Sequence, residues 1–287
     1  MTVVIGVHRS NPSLYHLSRL GYAEQELAAF GETVAWHPYT DGVRTGAHLA
    51  DGTIDFGGTG STPPVTAQVA GHDIVYVAVS APRPGHGALL VPEDSPVRTV
   101  ADLKGGTVHL AVGSWQTHLV AKALDDAGLS YGTDITAVRG DSGSEEKLRS
   151  GEITAWVAQG AELAAARRTG GLRVLVPTGE VISDRSVFFT RRDLAEERPE
   201  VVEALVRALR RADEWAAAHP REAAGIAAAD QGGTVDDWET ALRALPWTIE
   251  EVTEEFVAEQ QRAADVFHRT GFVDRAVTVA DALPRKA

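Results

Sequence analysis

The stretch Asp55-Phe56-Gly57-Gly58-Thr59-Gly60-Ser61-Thr62-Pro63-Pro64 governs how the rest of the chain is read. It follows a strand-like segment around Ile54. Glycines there permit positive φ and a close approach to a bound molecule. Thr59, Ser61 and Thr62 add hydroxyls, and Pro63 and Pro64 suit the first turn of a helix, where a missing N–H costs nothing. A glycine-hydroxyl turn that opens a helix is an anion-binding device, because free N–H groups and the helix dipole both point at the ligand. Read without a ligand, the same residues make a tight strand-to-helix turn.

Outward from this turn, short apolar runs alternate with helical stretches. Val3-Val4-Ile5-Gly6-Val7, Val34-Ala35-Trp36-His37 and Ile74-Val75-Tyr76-Val77-Ala78-Val79 are predicted strands. Runs of this kind separated by helices suggest a parallel sheet covered on both faces. A second series follows, with Leu89-Leu90-Val91, Val108-His109-Leu110-Ala111-Val112, Ala155-Trp156-Val157 and Arg173-Val174-Leu175-Val176-Pro177. Ser186-Val187-Phe188-Phe189-Thr190 is the last strand. Val100-Ala101-Asp102-Leu103-Lys104-Gly105 reads as one helical turn closed by glycine. From Arg198 the chain is predicted helical, with Val202, Leu205, Leu209, Ala212 and Trp215 on one face, and Ile249, Val252, Phe256, Ala263 and Phe267 as a second stripe. Two βα series and return helices predict an α/β protein with a cleft at the carboxyl ends of the strands. Ala81-Pro82-Arg83-Pro84-Gly85 is the natural crossover between lobes.

The composition narrows the function. The chain has 287 residues, 44% of them hydrophobic and 23% charged, the balance of an ordinary globular protein with one large or two medium domains. Its formal charge of −13 argues against nucleic acid as the partner, though a local pocket can still hold a small anion. There is no cysteine, which removes disulfides, thiolate catalysis and Cys-ligated zinc. Apolar runs are strand-sized, so no membrane insertion is expected. Thr2-Val3-Val4-Ile5-Gly6 follows Met1 with no basic or apolar leader pattern before it. Two expectations stand: an extracytoplasmic protein if a leader has been removed, a cytoplasmic one if Met1 is the native start. Ten histidines are scattered without an H-x-x-x-H or H-E-x-x-H pair, so neither a metal nor a cofactor is expected.

Three segments carry a family resemblance: Gly52 to Gly60 with Pro63-Pro64; Val91-Pro92-Glu93-Asp94-Ser95-Pro96 followed by Thr99 to Gly105; and Val112-Gly113-Ser114 opening a helix that contains Leu119 and Leu124. Through them the chain resembles the type II periplasmic solute-binding proteins, in the branch that binds alkanesulfonates, taurine and nitrate. The second segment is widespread in that fold; the first is more specific to the sulfonate branch. The resemblance implies two lobes joined by two crossovers, near Ala81 to Gly87 and near Ser183 to Ser186, with C-terminal helices. It implies one lobe of residues 1–83 plus 187–287 and another of 86–184.

By the same resemblance, Ser61 and Thr62 on one lobe, and Ser114, Gln116 and Thr117 on the other, would hold an oxyanion. Gly60 belongs to the same turn. Arg9, Ser10 and Asn11 leave the first strand toward the cleft; Asn11 or Ser10 also suits a helix cap. Trp115 would stack on a ligand, whereas Trp36 reads as core. His118 follows the Ser114 turn, and Arg185 precedes the last strand near the cleft floor. Where the sulfonate branch usually has Trp-Asp-Pro, this chain has Gln159-Gly160-Ala161, so the ligand expected here is larger or more polar than a short alkanesulfonate. The leading expectation is the substrate-binding protein of an ABC-type importer, with a permease partner, for a small sulfonate-like anion. The competing expectation is a cytoplasmic enzyme on the same fold, a lyase or a desulfinase-like or biosynthetic enzyme. Ser10-Asn11-Pro12 stands where desulfinases of this fold keep a cysteine, so such an enzyme would need His8, His16 or His118 as its acid or base. Ser114 lacks a nucleophile elbow, which argues against a Ser-His hydrolase.

Overall fold

The computed structural model describes residues 2–285. The outermost residues of the expected first lobe, 1, 286 and 287, lie outside the described residues. The chain opens with β1 (Thr2–His8), α1 (Pro12–Leu20), α2 (Tyr22–Ala28), β2 (Thr33–Tyr39), α3 (Thr45–Ala50), β3 (Phe56–Thr59), α4 (Thr62–Val69) and β4 (Ile74–Ser80). It continues with β5 (Gly87–Pro92), β6 (Thr107–Leu110), α5 (Trp115–Asp126), β7 (Thr136–Arg139), α6 (Ser144–Ser150), β8 (Ala155–Gln159), α7 (Gly160–Thr169), β9 (Leu172–Pro177) and α8 (Thr178–Val181). The chain then returns through β10 (Val187–Arg191), α9 (Arg192–Glu197), α10 (Pro199–Ala218), α11 (Pro220–Gln231), α12 (Val235–Arg243), β11 (Ile249–Glu250) and α13 (Glu254–Arg269).

These strands form two sheets, ordered β11-β4-β10-β3-β1-β2 and β7-β6-β8-β5-β9. Each belongs to one α/β lobe, and the chain passes between lobes at residues 81–86 and 182–186. The expected parallel pairing holds for β1 with β2 and β3, and for β6 with β7 and β8, but each sheet also carries antiparallel strands. β10 runs antiparallel to β3 and β4, and β5 runs antiparallel to β8 and β9. Both are the strands that directly follow a crossover, so each enters its sheet from the hinge side against the direction of the βα units.

The glycine run is the second correction. Phe56-Gly57-Gly58-Thr59 is itself a fully buried strand, and none of Gly57, Gly58 and Gly60 has positive φ. Their value lies in space. A Cβ on Gly58 would stand 2.5 Å from the Phe188 ring, and one on Gly57 would stand 2.8 Å from Thr45 Cγ2. The missing side chains let β3 lie flush against its neighbours.

Local signals set the helix ends. Asn11 Oδ1 accepts the Leu14 N–H at 3.1 Å, Pro12 opens α1, and Gly21 closes it at φ 68°. Ser114 Oγ accepts the Gln116 N–H at 3.1 Å at the start of α5. Thr99 and Asp102 form a capping box on the single turn at Val100–Leu103, and Gly105 follows it at φ 77°. α10 buries Val201, Leu205 and Leu209 against the first lobe. The second expected stripe is split: Ile249 is in β11, while Phe256, Ala263 and Phe267 are buried on α13. β7 escaped the sequence reading because only one of its four side chains is even half-buried.

The C-terminal helices do not stay on one lobe. α12 packs on α7, and α13 packs on α5. One apolar cluster includes Val65 and Tyr76 of the first lobe, Phe256 and Phe267 of α13, and Leu119 and Leu124 of α5.

Candidate functional site

The lobes meet along the loop after β1, the end of β3 and the start of α5. Between them lies a small pocket of about 100 Å³, lined by Ser10, Asn11, Thr59, Gly60, Ser114 and Trp115. Arg83, Arg139 and Asp41 complete its charged wall. α5 offers its N-terminus here. The Gln116 and Thr117 N–H groups are taken by Ser114 Oγ and Ser114 O at 3.1 and 3.0 Å. Trp115 is the first residue of α5, the place where a helix start offers N–H groups to an anion.

Trp115 is the structural centre of this pocket. Its indole N–H donates to Gln159 Oε1 at 2.9 Å, and its ring lies 5.0 Å from His86. A Cβ on Gly60 would come within 2.7 Å of Trp115 Cβ, and one on Gly87 within 2.4 Å of its ring. Glycines on both sides therefore let one tryptophan fill the seam between lobes.

Behind the pocket the two crossovers are clasped by buried charges. Arg83 Nη2 reaches Asp184 Oδ1 at 2.9 Å, Arg83 Nη1 donates to Ser186 Oγ at 3.0 Å, and His86 Nδ1 lies 2.8 Å from Asp184 Oδ2. Asn11 Nδ2 donates to the same Ser186 hydroxyl at 3.3 Å. Burial pushes the Asp184 carboxyl up, but Arg83 and then His86 outweigh it and hold the carboxyl below its ordinary value. Burial, and after it the Arg83 charge, lower His86 against the upward pull of Asp184. Asp184 takes this position with φ at 43°, a left-handed backbone that a non-glycine residue adopts only when its surroundings enforce it. Sequence reasoning missed Arg83, His86, Asp184 and Ser186. The available signal was a charge in the middle of each crossover, between apolar strands.

The predicted residues divide. Ser10, Asn11, Gly60, Ser114, Trp115 and Gln159 line the small pocket, and Arg9 lines an adjoining space, where its guanidinium donates to the Asp230 carbonyl. The others do not line the pocket. Ser61 Oγ bonds His118 Nδ1 at 2.9 Å, and Thr62 Oγ1 donates to Ser114 O at 2.7 Å, both between lobes. Thr117 Oγ1 accepts the Gly113 N–H at 2.8 Å, and Gln116 Oε1 accepts the Ala111 N–H at 2.6 Å. The reason is steric: with Gly60 bare, the starts of α4 and α5 abut, the α4 hydroxyls are taken by the His118 ring and the Ser114 carbonyl, and those of α5 are taken by backbone N–H groups of their own turn. His118 is sealed in this contact, and burial lowers it to about 4. Arg185 faces the other way, to Glu250 at 2.6 Å, Glu259 at 3.3 Å and the Ser80 carbonyl at 2.8 Å. Trp36 donates to Glu24 at 2.8 Å and packs on the first lobe's core.

Ser10, His86 and Gln159 also line a larger cavity of about 430 Å³. α1, α7, α11 and α12 enclose it, and Tyr15, His16, Trp156 and Trp238 supply rings to its walls. Arg168 of α7 grips Asp237 of α12 through two bonds of 3.1 and 2.9 Å across its edge. Among the described residues, no group of three or more His, Asp or Glu is placed to hold a metal, and no helix is long and apolar enough to cross a membrane.

Comparison with known proteins bears on this geometry. The profile of the family described as NMT1/THI5 like matches residues 27–223. A protein of Escherichia coli (strain K12) named for binding aliphatic sulfonates is 32% identical over 248 residues, covering 86% of this chain and 77% of that protein. A Bacillus subtilis (strain 168) protein named in the same way is 27% identical over 280 residues, covering 96% of this chain and 84% of its own. Among solved structures, the periplasmic aliphatic sulphonate binding protein SsuA from Escherichia coli matches with a TM-score of 0.87 at 27% identity, over 100% of this chain and 92% of that one. The alkanesulfonate-binding protein SsuA from Xanthomonas axonopodis pv. citri, bound to MOPS, matches with a TM-score of 0.86 at 27% identity, over 99% and 98%. The architecture is thus the two-lobed periplasmic-binding-protein fold, with two crossovers and C-terminal helices.

Proposed function

This chain belongs to the NMT1/THI5-like family, and on that premise we propose that it is the substrate-binding protein of an ABC-type importer for a small organic anion with a sulfonate headgroup. The observation that carries the reading is the small polar pocket between the lobes. Its volume of about 100 Å³ falls well below the roughly 300–1,000 Å³ of sites that take whole drug-sized ligands, and so suits a headgroup. It is lined by the start of α5 at Ser114 and Trp115, by the hydroxyl residues Ser10 and Thr59, and by the cations Arg83 and Arg139. Asp184 offsets much of the Arg83 charge, and Asp41 stands 3.8 Å from Arg139. Each pocket cation thus has a carboxylate beside it and the formal charges balance, so the hold on an anion rests on local donors, which suits a ligand that must later be released to a permease.

The same residues disfavour chemistry. His16 and His118 are each lowered to about 4, first by burial; His118 is sealed between the lobes, and His16 stands in the wall of the larger cavity, outside the small pocket. His8 lines the pocket but is also lowered by burial, with its ring against Gly42 and its Nε2 at 3.2 Å from Thr40 O. A general acid or base needs a pKa near the working pH and reach to the substrate.

Calorimetric titration with methanesulfonate, ethanesulfonate and sulfate tests the reading. Binding of a sulfonate, a melting temperature that rises with its concentration, and intact recovery of the ligand by mass spectrometry are expected. Absence of sulfonate binding, or time-dependent consumption of the ligand, overturns it.

A further inference from the structure

The larger cavity adjoins the headgroup pocket, sharing Ser10, His86 and Gln159 as wall residues, and its other walls differ in kind. Tyr15 and His16 come from α1, Trp156 from β8 and Trp238 from α12, so its rings come from both lobes and from a return helix. Between the rings the side chains are small: Ala161 and Ala165 on α7, Ala241 on α12. Gly160 opens α7 at φ 54°, and with Ala161 it puts no bulk where β8 ends. The volume of about 430 Å³ exists because these positions are alanine or glycine.

The charges at its edge are mostly engaged. Asp141 pairs with Lys147 at 2.9 Å, Glu145 with Arg149 at 2.7 Å, Asp237 with Arg168 at 2.9 Å, and Arg9 donates to the Asp230 carbonyl. Among the described residues lining the cavity, Glu162, at the exposed rim, is the acid without a cation. A second anionic group on the ligand would meet Glu162 and the carboxylates beside it. A neutral, flat, polarisable group would meet rings and methyl groups.

Resting on the sulfonate reading above, we propose that this cavity is a tail site and that the protein selects monoanionic sulfonates bearing a ring system, such as arenesulfonates, over short alkanesulfonates. The head occupies the pocket at Ser114 and Trp115, and the ring system lies between Trp156 and the Tyr15–His16 wall under α12. Each buried methylene-equivalent gives about a four-fold gain before ordering costs, so a bicyclic tail has ample reserve for a selective advantage.

The experiment is calorimetric titration of the full chain with ethanesulfonate, naphthalene-2-sulfonate and naphthalene-2,6-disulfonate. Naphthalene-2-sulfonate is expected to bind at least ten-fold tighter than ethanesulfonate, and the disulfonate more weakly than the monosulfonate. Ala165→Trp and, from the opposite wall, Ala241→Phe fill the cavity; in each, the ratio of the two monosulfonate Kd values is expected to collapse to less than three-fold. Two independent variants guard against misfolding of one. Equal Kd for ethanesulfonate and naphthalene-2-sulfonate in the parent, or an unchanged ratio in both folded variants, overturns the tail site while leaving the sulfonate reading intact. If neither monosulfonate binds the parent, the sulfonate reading itself fails and this inference falls with it.

Discussion

Asp213→Asn isolates a single buried carboxyl. Asp213 sits on α10 with 2% of its surface exposed, and its Oδ1 has no partner among the described residues. Burial raises it from 3.8 to about 7, against the weaker downward pull of the Ser13 hydroxyl and the Arg83 charge. The direction is opposite to that of a salt-bridged acid. Below pH 3.8 both folded and unfolded chains hold the proton, and the site is neutral to stability. Between 3.8 and about 7 the folded chain keeps a proton that the unfolded chain releases, so this site's contribution worsens as pH rises. Above about 7 the penalty is constant. Roughly three pKa units at 1.36 kcal/mol each make it about 4 kcal/mol, an upper figure for one site. The asparagine keeps the shape and a group for Ser13 while removing the titration. Urea unfolding followed by tryptophan fluorescence at pH 4.5, 6, 7 and 8.5 reads the difference. The variant is expected to lie within 1 kcal/mol or so of the parent at pH 4.5 and to become more stable by a few kcal/mol at pH 8.5. A difference that does not change with pH, or a variant weaker than the parent at pH 8.5, refutes the reasoning.

Other perturbations separate binding from architecture. Asp184→Ala strands the buried Arg83 guanidinium and the His86 ring, and should cost about 3–5 kcal/mol in the same unfolding assay, with acid unfolding of the parent occurring as Asp184 is protonated below its ordinary value. Thr117→Ala removes the acceptor of the Gly113 N–H; about 1–3 kcal/mol of stability should go while the sulfonate Kd, by calorimetry, moves less than three-fold. Gly87→Val drives a Cβ to 2.4 Å from the Trp115 ring and 2.8 Å from the Ala158 carbonyl, so it should cost 1–3 kcal/mol or more and shift the tryptophan emission; an unshifted spectrum would show the ring is held elsewhere.

The apolar strands and the two crossovers were legible because β-branched runs of five or six residues bounded by turns have few other uses. Val3–Val7, Ile74–Val79 and Val187–Thr190 all became central strands. β3 was not legible, since two glycines in four residues read as a turn; its strand character comes from Phe188 and Thr45 pressing on it from other elements. The site was half legible. A hydroxyl near a helix start announces a contact but not its direction, and Ser61 and Thr62 turned toward the other lobe because α5, more than fifty residues on, packs against them. Asn11 was readable in its cap role from its position before Pro12. Arg185 was misplaced because its partners, Glu250 and Glu259, lie in the C-terminal segment, where sequence spacing carries no register with the crossover.

β10 sits in the first sheet between β3 and β4, more than a hundred residues after either. During synthesis, then, the first eighty residues emerge with a gap at the centre of their sheet, and two unpaired strand edges face each other until residues 187–191 arrive. The sheet of residues 87–177 has no such debt: all its strands are consecutive in the chain. The lobe made second can therefore fold first, and the lobe made first must wait in an open form. Long-range strand insertion is slow, and exposed edges invite aggregation while it is pending. A nascent chain cut before 187 should hold a protected second sheet beside an unprotected amino-terminal third.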